Sequence, residues 1–526
     1  MPTNCLIKHS TYHDSVALMQ VARELTQLPG VLDAAVVMGT PANQAILREA
    51  SLMLPEIEAA AANDLVIVVR AETDERAAHA LQVAENRLAH RPESGETGST
   101  PPPRTIRQAV RRHPGANLAV ISVAGQYAAA EAWEALRNGL HVFLFSDHVS
   151  LADELALKQY AIERGRLLMG PDCGTAILNG VALGFANDVP RGPVGIVAAA
   201  GTGLQEVSAL LARLGVGVSQ AIGTGGRDLS AEVGGLTMLA GVRALQADPE
   251  TKGLLLVSKP PDEAVAARVL AQVRQGDKPT VICFLGGDAA PIAEAGAIPA
   301  RTLQEAAYRA ATLATAADGA EGAGTAVEEI IERETAELRT LARALQERLK
   351  PDQTYLRGLF SGGTLAAETL LLWSERLDDV RSNLALDPRL GLPDPACSVG
   401  HCVVDLGADE FTVGRPHPML DHTLRARRLM QEADDPQVAA ILLDVVLGYG
   451  VHSDPAGELG PVIRRARETA AQADRELLVV ASVTGTEQDP QGLSQQVQTL
   501  EECGAVVAGC NAAAARLAVF IARPDL

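Results

Sequence analysis

The sequence predicts an α/β protein made of several doubly wound parallel-sheet domains, and three observations carry that reading. Apolar residues make up 47% of the 526 positions and aromatic residues only 3%. The cores are therefore Ala, Val and Leu, small enough to let helices lie close on a sheet. Strand candidates such as "NLAVISVAG", "GPVGIVAAAG", "GLLLVSKPP" and "AAILLDVVLG" are unalternating apolar runs, as parallel strands covered on both faces are. Amphipathic helical stretches follow these strands, the rhythm of βαβ crossovers.

Element by element, residues 1–90 read β-α-β-α-β-α and form a small α/β N-terminal domain. "CLIKHS", "DAAVVMG" and "DLVIVVRA" are its strands; "SVALMQVARELTQL" and "DERAAHALQVAENRLA" are helices. "RPESGETGSTPPPR", Arg91 to Arg104, has no apolar residue and reads as a linker. Residues 105–190 form a second α/β domain, ending in "RLLMGPDCGTAI", and residues 191–312 a third. Residues 313–349 are read as linker and helix, with an Ala/Gly/Glu-rich linker over about 315–335. Residues 350–526 form the last domain.

The third and last domains read as copies of one another. Aligning Asp248-Pro249 with Asp435-Pro436 gives an offset of 187, which places Leu254–Val257 on Ile441–Asp444. "VAAAGTGLQE" then corresponds to "LFSGGTLAAE", and "EAGAIPARTLQEAA" to "ECGAVVAGCNAAAA". Duplication explains the shared order; two unrelated doubly wound domains would share only the strand-Gly-helix grammar.

Ligands of open parallel sheets bind beyond the carboxyl ends of the strands, so four loops are candidates. "AAAGTGLQE" offers Gly201, Thr202 and Gly203; "SGGTLAAE" offers Gly362 and Gly363. "SKPPDE" puts Lys259 at a strand end, and "GYGVHSD" supplies Gly448, Gly450, Val451 and His452. Each glycine turn reads either as tight strand-to-helix geometry or as an anion cradle at a helix N-terminus. None is a Walker or a dinucleotide fingerprint. "GRPHPMLDHTLR" gathers Arg415, His417, Asp421, His422 and Arg425. It reads as an anion or acid–base cluster or as a polar loop and helix cap; its spacing matches no metal motif, and no metal site is expected. Cys173 reads as a buried small residue, and His13 as part of a helix cap.

The formal net charge of −20 argues against nucleic acid as a partner. The absence of a signal peptide or an apolar run of membrane length, with seven scattered cysteines, leads us to expect a cytoplasmic protein with reduced thiols and no membrane partner.

"GPDCGTAILNG…GPVGIVAAAGTGLQEV…AIGTGGRD…KPTVICFLGG" resembles the α subunit of succinyl-CoA synthetase. "GLFSGGTLAAET…VVDLGADE…DDPQVAAILLDVVLGYGV" resembles the carboxyl-terminal domain of its β subunit. An α-like part fused to a β-like tail is similar to the FdrA proteins, acyl-CoA synthetase-like chains linked to allantoin breakdown as a subunit of oxamate carbamoyltransferase. The resemblance covers about residues 105–526. It implies a Rossmann-like CoA-binding-type domain and two flavodoxin-like succinyl-CoA-synthetase-type domains. It also implies helix ends at Gly201/Thr202 and Gly448–Val451 that face a phosphoryl group.

The chain departs from that pattern in ways that bear on chemistry. Where the family carries its phosphohistidine this sequence reads "FLGGDAAPIAEAGAIPA", without histidine. Lys259 of "SKPP" stands near the place of the glutamate that orients that histidine. The ATP-grasp domain and the first Gly-rich CoA loop are missing. The resemblance therefore implies a phosphate-dependent carbamoyltransferase subunit (oxalurate and phosphate to oxamate and carbamoyl phosphate), in hetero-oligomer with other subunits. Phosphate would be a substrate and no cofactor is certain, CoA being possible. Lys259, His452 and His417 would be catalytic; Gly201, Thr202, Gly203, Gly362, Gly363, Gly448, Gly450, Val451 and Arg415 would bind substrate or phosphate. The alternatives are an acid–CoA ligase lacking its own ATP-grasp domain and a noncatalytic scaffold.

Overall fold

The structure, a computed structural model, describes residues 2–11, 13, 15–26, 28–40, 43–44, 47–48, 52–89, 102–315, 323–412 and 416–523. It divides into two compact units, Met1–Pro103 with Asp409–His417, and Arg104–Ala408 with Pro418–Leu526.

The first unit contains strands β1 (Thr3–Lys8), β2 (Val31–Met38) and β3 (Leu65–Ala71), in the order β1-β3-β2 with both pairings antiparallel. Helices Ser15–Thr26 and Asp74–Ala89 contribute Leu18, Leu25, Ala80 and Ala84 to a core with Leu65, Ile67 and Val69. Val66 and Val68 point the other way, into a cluster with Leu47, Leu52 and Ile57. The unalternating run "LVIVV" thus marks a central strand covered on both faces, here in an antiparallel sheet.

The second unit carries three sheets. β4 (Leu118–Ile121), β5 (His141–Leu144) and β6 (Leu168–Met169) form a small parallel sheet. β7 (Thr175–Leu178), β8 (Val181–Gly184), β9 (Arg191–Ala199), β10 (Val218–Gly223), β11 (Gly253–Ser258), β12 (Thr280–Phe284) and β13 (Ile298–Pro299) form a seven-stranded sheet. β14 (Tyr355–Phe360), β15 (Arg381–Ser382), β16 (Cys402–Asp405), β17 (Val438–Val446), β18 (Leu478–Thr484) and β19 (Val506–Ala508) form a six-stranded one. Five parallel strands run β10-β9-β11-β12-β13 in one sheet and β16-β14-β17-β18-β19 in the other. Both follow the flavodoxin-like order 2-1-3-4-5, so the repeat seen in the sequence is a repeat of topology.

Two sequence expectations need correction. A domain boundary at residue 190 is too late, because β7 pairs antiparallel with β10 through Leu178–Gln220 and Ile177–Ala221, which puts β7 and β8 in the seven-stranded sheet. The signal was present: Asn179-Gly180, at φ 52° and 78°, is the dipeptide of a tight hairpin turn. The linker expected over 315–335 is in large part helix, since Ala323–Gln346 is one α-helix. Val327 and Ala342 are buried on its inner side and Leu338 packs against the same core, a stripe that outweighs the Ala/Gly composition.

The "GTGGRD" turn has a structural role. Asp228 accepts the amides of Thr237 and Met238 and the ammonium of Lys158 at 2.6 Å. Lys158 also pairs with Glu154 at 3.0 Å, and both are fully buried. This ion cluster ties helix Leu151–Glu163 to the seven-stranded sheet.

Candidate functional site

The two central strands, β9 and β14, each end in a helix, Gly201–Arg213 and Gly363–Ser374. The helix ends meet. The Thr364 amide donates to Thr202 Oγ1 at 3.3 Å. A Cβ at Gly203 would lie 2.9 Å from the Thr364 methyl, and one at Gly362 2.8 Å from the Thr202 methyl. Three of the singled-out residues, Thr202, Gly203 and Gly362, therefore serve this close approach.

Behind the junction the repeats cap each other. Glu206 accepts the Asn511 amide at 3.0 Å, the start of helix Asn511–Ala522 in the last domain. Glu368, its counterpart, accepts the Leu303 amide at 2.6 Å, the start of helix Leu303–Thr315 in the third domain. Leu303 and Asn511 are themselves equivalent in the sequence alignment of the repeats. Burial raises both carboxyls, Glu368 to about 7. The Asn511 side-chain amide links them by donating to Glu368 at 2.7 Å.

The two helix ends differ in their capacity for anions. At Gly363–Ser374 the place is taken: Asp444, from β17, accepts the amides of Ser361 and Gly362 at 2.8 Å each and the Ser361 hydroxyl at 3.0 Å. Arg425 neutralises it at 2.6 Å, both side chains being fully buried. Asp405 Oδ2 and Lys259 Nζ lie 2.5 and 3.5 Å from the position of a Cβ on Gly363. The expectation that Gly362 hands its amide to phosphate is thus corrected, since a carboxylate of the chain itself already fills that role. At Gly201–Arg213, whose N-cap is Ala200, no side chain among the described residues accepts a first-turn amide, and Gly201 is exposed, as is Lys259.

Gly448–Val451 is not a helix end. The helix begins at Pro455 and is capped by Asp454, which accepts the Gly457 amide. The Gly448 amide goes to Gln491 at 3.1 Å, that of Tyr449 to the Ala186 carbonyl at 2.8 Å, and that of His452 to the Met419 carbonyl at 2.9 Å. A Cβ on Gly448 (φ 119°) would lie 2.5 Å from the Ala186 carbonyl oxygen, and one on Gly450 3.0 Å from the Phe185 ring. The amides of Gly448 and Tyr449 are thus spent on packing, and the two glycines serve close approach. Gly448→Ala is expected to destabilise the protein by about 2–4 kcal/mol, read as an earlier denaturation midpoint; a change under about 0.5 kcal/mol would contradict this account of the turn.

His452 is 5% exposed. Its Nδ1 accepts the Asp454 amide at 3.0 Å and its Nε2 meets Glu458 at 2.7 Å. Its backbone is held by the Met419 carbonyl and the Gln491 side chain. His417 belongs to the first unit. Arg415 lies outside the described residues. Cys173 is buried, its thiol pushed up to about 12 by burial. His422, read as part of an anion or acid–base cluster or of a polar loop and helix cap, sits at the N-cap position of helix Thr423–Asp434 and is 3% exposed.

Sequence reasoning missed Asp444, Asp405, Glu206 and Glu368. The signal for Asp444 was a single carboxylate inside an otherwise apolar strand, a residue almost never fully buried unless paired. For the glutamates it was their recurrence at the same place in both copies of the Gly-Thr loop.

Among the described residues no helix is long and apolar enough to cross a membrane. Residues 359–521 match the CoA-ligase family, and residues 1–103 match the family described as AllF, heavy metal-associated domain. That first stretch holds one cysteine, Cys5, in mid-strand opposite Val68, its thiol raised by burial. A soft-metal pair of thiolates is thus lacking and the residues do not fit such an ion. The chain is 44% identical to YahF of Escherichia coli K12 over 97% of each chain. It is 31% identical to the α subunit of the succinate–CoA ligase of Aquifex aeolicus, over 37% of this chain and 65% of that one. Against the α subunit of the malate–CoA ligase of Methylorubrum extorquens it is 30% identical, over 39% of this chain and 72% of that one. A relative this similar over its whole length, the CoA-ligase match and the doubled flavodoxin-like body together show that the chain belongs to the family of YahF, a succinyl-CoA synthetase-like family with an AllF-type N-terminal domain.

Proposed function

We propose that this chain is one subunit of a phosphate-dependent carbamoyltransferase, in which oxalurate and phosphate give oxamate and carbamoyl phosphate. The observation that carries the reading is the loop after β12. It runs Leu285-Gly286-Gly287-Asp288 and on to Ala300 without a histidine, so the body keeps the ligase fold but not the side chain that would carry a phosphoryl group. A free phosphate then takes that role. The uncapped first turn at Gly201, Thr202 and Gly203 and the exposed ammonium of Lys259 supply the amides and the positive charge it needs. A phosphate oxygen attacks the carbamoyl carbon, the carbon–nitrogen bond to oxamate breaks, and the oxamate nitrogen takes up a proton. Asp405 Oδ2 and Lys259 Nζ both lie against Gly363, so this carboxylate flanks the same place. The AllF-type N-terminal match supports a place in allantoin breakdown. The hetero-oligomeric partner subunits and the contribution of Arg415 and His417 to holding the substrate carboxylate belong to this proposal.

Phosphorolysis of oxalurate by the purified chain, alone and with candidate partner subunits, tests it. Lys259→Ala, at an exposed position, is expected to lower kcat/KM by about 10²–10³ with the fold intact. Failure of both phosphate and carbamoyl phosphate to bind in calorimetric titrations would sink the reading. The CoA-ligase match and the α-subunit relatives favour a second one, an acid–CoA ligase component that needs a separate ATP-grasp chain. Tight binding of CoA in the same titrations, with no phosphorolysis, is the result it predicts.

A further inference from the structure

We propose that His422, His452 and Glu458 form a binding site for a divalent first-row metal ion, with Zn²⁺ as the best match. His422 occupies the N-cap position of helix Thr423–Asp434 without a side-chain cap bond; His452 precedes helix Pro455–Gln472, whose first turn holds Glu458. The two imidazole rings lie 5.2 Å apart between centroids. Ligand atoms of the three residues all fall within 4.8 Å of one another, so one ion can reach all three. The inference does not depend on the function proposed for the Thr202–Thr364 junction.

The independent sign of a ligand is His422. It is 3% exposed and, among the described residues, neither ring nitrogen has a hydrogen-bond partner of normal geometry, the Pro418 backbone interacting with the ring more weakly. A buried imidazole without partners points to a group not yet in place. Burial, with the nearby Arg425, lowers its pKa to about 3, so a lone pair is available at neutral pH. The positive charge of Arg425 is already balanced by Asp444 at 2.6 Å, leaving Glu458 to face the incoming cation.

Two imidazoles and a carboxylate without thiol suit zinc in a site that keeps a fourth position open. The Glu458 side chain is 39% exposed, which gives the ion a path from solvent. His452 must adapt. Its Nδ1 accepts the Asp454 amide, so the ring proton that faces Glu458 is the one on Nε2. On loading, the cation replaces that proton between Nε2 and Glu458, the ring carries its proton on Nδ1, and the Asp454 contact is given up. One neutral hydrogen bond is small against the ligation energy of a structural zinc ion.

The test is zinc binding by the full chain after EDTA treatment and dialysis, read by calorimetry and elemental analysis. One equivalent of Zn²⁺ per chain is expected. His422→Ala should weaken binding at least about 100-fold, and Glu458→Gln, at a half-exposed position that leaves the fold intact, should weaken it at least about 10-fold. Substitution by Co²⁺ should give visible bands of tetrahedral intensity that Glu458→Gln alters. No zinc uptake, or uptake with the same affinity in both variants, overturns the proposal.

Discussion

Asp444→Ala is expected to destabilise the second unit by about 3–5 kcal/mol, the cost of stranding one member of a buried ion pair. Arg425 is fully buried and Asp444 is its carboxylate partner at 2.6 Å. The same substitution removes the acceptor of the Ser361 and Gly362 amides, so helix Gly363–Ser374 loses its cap as well. Denaturant unfolding followed by Trp373 fluorescence reads the effect, since Trp373 is buried in that helix. The double substitution Asp444→Leu with Arg425→Met is expected to recover most of the loss, because a buried pair replaced by apolar groups of similar volume costs little. A single variant within about 1 kcal/mol of the parent would show that the pair does not hold the helix end.

The second large effect is a pH dependence. Burial raises Glu368 from 4.5 to about 7 in the folded chain, so between those values the folded state binds more protons than the unfolded one. Stability attributable to this group therefore falls as pH rises from about 4.5 to about 7 and is level above that, a change of about 3 kcal/mol. Glu206 is raised in the same direction and adds to the slope. Asn511 Oδ1 has no partner, so rotating the Asn511 amide lets it accept a proton from Glu368 once that group is neutral. The same rotation accommodates Glu368→Gln. That variant is expected to flatten the fall in Tm between pH 5 and 8 while keeping the cap on Leu303; an unchanged slope would show that Glu368 is not the titrating group.

These two predictions rest on residues that differ in how far the sequence showed them. The Gly-Thr loops and their trailing glutamates recur in register, so Glu206 and Glu368 were legible as equivalents. Their task was not, because each caps a helix in the other repeat, 305 positions away for Glu206 and 65 for Glu368. The strands were legible for a local reason: an unalternating apolar run needs cover on both faces whatever its neighbours. Direction was not local, and "LVIVV" of the first unit proved to be the centre of an antiparallel sheet. Asn179-Gly180 shows a local signal overlooked, since it alone moves two strands into the next sheet.

His452 shows the same limit. In the sequence it follows a Gly-Tyr-Gly turn that looks like a helix end. In the fold that turn is closed by Ala186 and Gln491, and the helix starts at Pro455. Its neighbours His422 and Glu458 stand 30 positions before it and six after, a spacing that matches no linear metal motif. By itself, then, the sequence determined the α/β class, the duplicated body and the lack of a histidine in the loop after β12, because composition, hydrophobic period and residue identity are local properties. Only the tertiary structure decided which helix end stays open, which is filled by Asp444, and which side chains converge on His422, because those are contacts between segments whose separation along the chain carries no trace of them.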